Sequence, residues 1–149
     1  LKPQAVRLIV QVDSKKRLLQ EISEIITIYS PNFTPSLAFD ALMGRESLGA
    51  TGVGNGVALP HARLKGLDSV AGAFFKLKKP MDFSSVDRKP VDLIFALFAP
   101  EGAGVEHLKA LALVSRTLRD PSICSKLRAN SNATTMYTIL TEKMSSQAA

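Results

Sequence analysis

VDLIFALFA, residues 91–99, is apolar at every position but Asp92. A strand with one wet face alternates apolar and polar residues, whereas a strand covered on both faces reads as an unbroken apolar run. This stretch is therefore a buried strand with helices packed on either side. The preceding VAGAFFKL, residues 70–77, reads as a second strand, and Pro80 and Pro90 bracket the connection between the two.

Outward from this pair, AVRLIVQVD (residues 5–13) alternates in part and is β-branched, which predicts a third strand. SKKRLLQEISEIITIYS (14–30) opens with Ser14 as an N-cap and repeats Leu18, Ile22, Ile25 and Tyr29 at helical spacing. After the break at PNF, TPSLAFDALMGRES (34–47) has Thr34 as a cap and Pro35 at the first helical position, and should end near residues 45–48. GVEHLKALALVSRTLRD (104–120) reads as a helix stopped by Pro121, with Leu108, Leu111, Ala112 and Leu118 in its apolar stripe. SICSKLRAN (122–130) and ATTMYTILTEK (133–143) are shorter helical patterns, and MSSQAA (144–149) reads as a frayed tail. The expected fold class is α/β, a single domain over residues 1–149 in which helices flank a central sheet. The order is not a clean βαβ alternation, so a mixed sheet is expected.

Composition narrows the function classes. At 46% hydrophobic and 21% charged, the 149 residues are those of a globular chain with a sizeable core. No apolar run approaches the roughly 20 residues of a membrane-spanning helix, so no membrane insertion is expected. The first residues show no signal-peptide pattern, and Cys124 is the only cysteine, which fits a reducing cytoplasm. Cys124 lies between Ile123 and Leu127 on a predicted helix and reads as a core thiol. A net charge of +6 raises the question of nucleic acid. The cations are spread along the chain, however, and aromatics are only 6%, so no nucleic-acid partner is expected. The densest basic stretch, residues 63–89, reads as a solvated surface or as a docking face for an acidic or phosphorylated partner.

The chemistry-bearing stretch is TGVGNGVALPHAR, residues 51–63. Gly49 and Gly54 have the outer spacing of a P-loop, but Asn55 and Gly56 stand where Lys and Ser/Thr are required. A dinucleotide fingerprint fails too, because Val57 occupies the third glycine position. Two histidines and one cysteine far apart offer no metal-ligand spacing, and no serine sits in a nucleophile elbow, so neither a metal nor a cofactor is expected. His61 itself remains. Near pH 7 about three quarters or more of an ordinary imidazole is unprotonated and has a lone pair for attack on phosphorus. Gly54, Asn55 and Gly56 would supply free N–H groups for phosphate oxygens, with Arg45 or Arg63 as the balancing cation. From the residues alone, His61 reads equally as a loop histidine, His107 as a core-edge histidine in line with Leu111, Val114 and Leu118, and Arg45 as a helix C-terminal cation.

RESLGATGVGNGVALPHARL (45–64) resembles the active-site segment of the phosphoenolpyruvate-dependent phosphotransferase system IIA proteins of the fructose–mannitol type. PVDLIFALFAP (90–100) and EHLKALALVSRTLRD (106–120) resemble the same family in order and spacing. GNG ahead of ALPH, together with VDLIFALFAP, resembles most the nitrogen-regulatory branch, EIIA-Ntr. The resemblance implies a mixed sheet flanked by helices. It makes His61 the phosphorylated residue, modified on Nε2, His107 the histidine that orients it or contacts the phosphoryl group, and Arg45 the charge-stabilising arginine. It implies phosphorylated HPr or NPr as donor and a regulated transporter or sensor kinase as target. The alternatives are a standalone sugar IIA that passes phosphoryl to a IIB component, and a non-catalytic basic binding module. Many relatives read PHGK where this chain reads PHAR. Ala62 should therefore avoid positive φ, and Arg63 brings a planar fork able to hold phosphate bidentately.

Overall fold

A computed structural model describes residues 1–148. Its centre is the apolar run: β6 (Val91–Pro100) pairs antiparallel with β5 (Ala71–Met81) on one side and parallel with β3 (Val57–Ala58) and β4 (His61–Leu64) on the other. β1 (Val6–Ile9) adds to β5 in parallel, and β2 (Gly52–Gly54) adds to β3 antiparallel, completing a six-stranded mixed sheet in the order β1-β5-β6-β3-β2 with β4 also on β6. Successive residues of β6 feed two cores. Ile94, Ala96 and Phe98 pack with Leu18, Ile22 and Leu42 from the helices of one layer, α1 (Lys15–Glu24), α2 (Ile26–Tyr29) and α3 (Pro35–Leu48). Leu93, Phe95 and Leu97 pack with Val114, Leu127 and Leu140 from the other layer, α4 (Gly104–Arg119), α5 (Pro121–Ala129) and α6 (Ala133–Ala148). Each such Leu or Phe contributes about 1.5–3 kcal/mol on burial, so the two-sided strand is the main stabilising element.

Several boundaries differ from the sequence expectation. β1 stops at Ile9, and Val10 is 61% exposed, because the chain leaves β5 there to cross onto the face where α1 begins. The helix expected over 14–30 breaks at Ile25, whose N–H bonds the carbonyls of Ile22 and Ser23. Ser14 caps α1 through Arg17 N–H at 3.1 Å, whereas Thr34 occupies the cap of α3 without a side-chain bond. In α4 the buried residues are His107, Val114, Thr117 and Leu118, with Leu111 packed partly buried beside them, whereas Leu108, 64% exposed, and Ala112 face outward. The frayed tail expected from residue 144 is instead helical through Ala148, held by Met144 against the core and by Gln147 Oε1, 2.9 Å from the Thr117 hydroxyl; residue 149 lies outside the described residues. Cys124 is buried with Sγ 3.1 Å from the Leu118 carbonyl, and burial pushes its thiol pKa up, as a core thiol requires.

β2, β3 and β4 arise from the glycine stretch, in which the sequence pattern predicts no strand. β3 and β4 are one line of pairing on β6, with Val57 opposite Leu93 and His61 opposite Leu97, interrupted only at Leu59 and Pro60. Leu59 N–H turns to the Thr51 carbonyl at 2.9 Å, and Pro60, which lacks a donor, still accepts from Leu97 N–H at 3.0 Å. His61 thus starts a strand on the rigid centre of the sheet.

Candidate functional site

Strand alternation sorts the residues of β4. Ala62 and Leu64 enter the core on the α3 side, so His61 and Arg63 face the α4 side at the sheet end. Ala62 has no positive φ, as expected. The Leu59 carbonyl lies 2.8 Å from His61 Nδ1 and can only accept, so Nδ1 carries the proton and Nε2 the lone pair. Arg45, in the last turn of α3, donates Nε–H to that Nε2 at 3.3 Å and Nη1–H to the Gly49 carbonyl at 2.8 Å. An arginine cannot accept, so both contacts specify the same tautomer.

His107 comes from the first turn of α4 and is 5% exposed. Its ring centroid is 5.6 Å from that of His61, at an interplanar angle of 68°. Arg63 Nε donates to His107 Nδ1 at 3.2 Å, while His107 Nε2 is buried with no partner. Burial pushes the His107 pKa down, and the neighbouring His61 and Arg63 act in the same direction, so the ring is neutral near pH 7.

Two cavities meet at His61 and Arg45. One, of ≈ 460 Å³, includes Leu48, Arg63 and His107, and the other, of ≈ 360 Å³, includes Thr51, Val53 and Ser115. No carboxylate lines either of them. Leu48 is 85% and Val53 51% exposed, so the mouth is apolar around a cationic floor. Such an arrangement suits a dianionic group on Nε2 delivered by a docked protein.

Gly54, Asn55 and Gly56 are not part of this site. They form the tight turn between β2 and β3, with positive φ at Asn55 (57°) and Gly56 (78°), as an Asn-Gly hairpin turn needs. Asn55 N–H, expected to hold phosphate, donates to Asp87 Oδ2 at 2.9 Å, and a carboxylate there repels an anion. Arg128 locks the turn from the other side, donating to the Asn55 carbonyl and to Asp92, each at 2.9 Å. The turn lies at the start of β6, where Gly56 O accepts from Asp92 and Leu93, while His61 is opposite Leu97. The two are five residue steps apart along the strand direction, about 16 Å. Of the residues expected to form a phosphate loop, the structure brings only Arg63 to His61.

Two contributors were not singled out from the sequence. One is the Leu59 carbonyl, which orients His61. The other is Glu46, whose side chain is 6% exposed and pairs with Lys15 Nζ at 2.7 Å while also accepting from the Thr51 hydroxyl. This ties the glycine stretch to the end of α3 beside Arg45. The signal was present, since an acid in a last helical turn opposes the helix dipole and needs a cation. Among the described residues no group of three or more His, Cys, Asp or Glu could hold a metal, and no helix is long and apolar enough to cross a membrane.

The sequence model described as "Phosphoenolpyruvate-dependent sugar phosphotransferase system, EIIA 2" matches residues 1–143. A nitrogen regulatory protein of Bradyrhizobium diazoefficiens is 46% identical over 139 residues, covering 93% of this chain and 90% of the relative. The crystal structure of nitrogen regulatory protein IIA-Ntr from Neisseria meningitidis superposes with a TM-score of 0.84 at 37% identity, covering 91% of this chain and 93% of that one. IIA mannitol from Escherichia coli, 18% identical with a TM-score of 0.77 over 94% of this chain and 98% of its own, shares the fold. The α/β sandwich with its mixed sheet is thus the fold of these proteins, and the chain belongs to the phosphotransferase-system EIIA family, type 2, with nitrogen regulatory proteins among its similar relatives.

Proposed function

We propose that this chain is a cytoplasmic phosphocarrier that accepts a phosphoryl group on His61 Nε2 from the phosphohistidine of an HPr or NPr carrier. In this reading its phosphorylation state is what regulated proteins, such as a transporter or sensor kinase, respond to. The observation that carries it is the tautomer of His61. Nδ1–H is engaged by the Leu59 carbonyl, and the Nε2 lone pair faces Arg45 in a cavity free of carboxylates. The P–N bond forms at Nε2 as the donor P–N bond breaks, and the donor nitrogen leaves with its electron pair. The His61 proton stays on Nδ1, so attack needs no separate base. Arg45 exchanges its bond to Nε2 for bonds to phosphoryl oxygens, and His107 lies beside the same ring. Transfer between two phosphohistidines is nearly isoenergetic, so positioning and charge are what the fold supplies. The added charge of about −2 then alters the cationic, apolar-rimmed face that partners meet. Similarity to nitrogen regulatory proteins supports the regulatory branch over sugar uptake.

The test is intact-mass measurement after incubation with phosphoenolpyruvate, enzyme I and HPr or NPr, before and after mild acid. One acid-labile phosphoryl group, absent in His61→Ala, is the expected result. No mass change with either carrier, or full phosphorylation of His61→Ala, overturns it. Onward transfer to a fructose or mannitol IIB component would move the assignment to sugar uptake. Pull-downs with both phosphorylation states then test regulation.

A further inference from the structure

The geometry points to Arg63 as a positioning residue. By donating Nε–H to His107 Nδ1, it holds that imidazole as the Nε2–H tautomer, so that a buried, unpartnered Nε2–H is offered to the phosphoryl group on His61. The inference rests on His61 being the phosphoryl acceptor, and it gives Arg63 a task other than gripping phosphate.

A neutral imidazole has two tautomers, and only one donates from Nε2. Guanidinium has donors alone, so at 3.2 Å from Nδ1 it requires a lone pair there. Protonation of His107 would set an N–H of one cation against an N–H of another, so the same contact disfavours the imidazolium. The charged and titratable groups around His107 are Arg63 and His61 on β4 and Arg45, which reaches the shared cavity from α3. On its own helix Glu106 and Lys109 are exposed. None supplies an acceptor for Nε2. A buried donor without a partner is rare in folded proteins, and one beside the ring that receives the group marks where a ligand atom belongs.

The strand explains why residue 63 has this role. Residues two apart on a strand share a face, so Arg63 follows His61 on the α4 side. Ala62, 6% exposed in the opposite core, keeps the strand regular between them. A planar guanidinium can spend Nε on His107 with its fork still free, which a lysine ammonium on a flexible stem cannot do with the same geometry.

The experiment is a long-range ¹H–¹⁵N correlation spectrum of the imidazoles from pH 5 to 9, recorded on the unphosphorylated full chain and on Arg63→Met, together with the rate of His61 phosphorylation. Arg63 is exposed, so the variant is expected to fold, which amide spectra verify. The expected wild-type result is a single Nε2–H tautomer for His107. In Arg63→Met the ring should become a tautomer mixture with a raised titration midpoint, and transfer to His61 should slow about 10–100-fold, the usual range for groups that orient an active residue. An unchanged tautomer and midpoint in Arg63→Met overturns the inference, and slowed transfer in that case assigns Arg63 to the phosphate instead. A wild-type chain that takes no phosphoryl group, yet whose His107 responds to Arg63→Met, upholds the Arg63–His107 relation and overturns the acceptor role of His61.

Discussion

Arg45 Nε sits 3.3 Å from His61 Nε2 while its Nη1 holds the Gly49 carbonyl at 2.8 Å, so one guanidinium covers the Nε2 lone pair and closes the end of α3. Truncating it uncovers the lone pair but removes the cation nearest the incoming charge. Arg45→Met is therefore expected to slow phosphorylation by about 100-fold, the scale seen when one preorganised donor is lost, and to shorten the lifetime of the phosphorylated form. Rapid-quench mass spectrometry measures both. Wild-type rates in the variant would remove Arg45 from the chemistry.

The 2.8 Å contact between His61 Nδ1 and the Leu59 carbonyl makes a regiochemical prediction. Phosphorylation at Nδ1 would break this bond and place the group against the backbone, whereas Nε2 opens on the cavity. The phosphorylated chain should show a single ³¹P–¹⁵N coupling to Nε2. Coupling to Nδ1 would mean that the ring turns over before reacting.

What was legible in advance follows from physical period. β6 was visible because two-sided burial leaves a long apolar run, α1 and α4 because apolar residues recur at helical spacing, and α3 because Pro35 follows a capping residue type at its start. β2, β3 and β4 were not, since each is two to four residues long and set off from its neighbours by Gly or Pro, too short for any period to register. The Asn55-Gly56 pair is a strong hairpin signal, yet three spaced glycines suggested a phosphate cradle. Asp87 and Arg128, distant in sequence, decide the matter. His61 and His107 looked like ordinary histidines one at a time, and a family resemblance was needed to pair them. The Arg63–His107 bond depends on how β4 is registered against α4, information that no local pattern contains.

The hairpin reading is testable by itself. Gly56 has φ +78°, and an added Cβ would meet Arg128 Nη2 at 2.5 Å and Asp92 Oδ1 at 2.9 Å. Gly56→Ala should destabilise the chain by about 1–2 kcal/mol from the left-handed backbone alone, with further loss if the Arg128–Asp92 pair is displaced. The phosphorylation rate per folded molecule should stay at the wild-type value. Urea unfolding and the mass assay separate the two, and a rate loss in fully folded protein would return the turn to the site.

The buried His107 links the site to pH. Its pKa is lowered in the folded chain, first by burial and then by His61 and Arg63. Between that lowered value and the ordinary one near 6.5, the unfolded chain takes up a proton that the folded chain refuses. The stability associated with a neutral His107 is therefore complete above about pH 6.5 and is lost as pH falls through the folded-state value. Urea unfolding at pH 8 and pH 5 should show the wild type losing more stability than His107→Gln, which has no proton to gain. A wild type that loses less than the variant would mean that His107 binds its proton more readily when folded, contrary to its buried, cation-flanked setting. Phosphorylation supplies the internal control. A dianion on His61 beside this ring favours its protonated form, so the extra acid sensitivity of the wild type should shrink in the phosphorylated chain and remain unchanged in His61→Ala treated with the same donors.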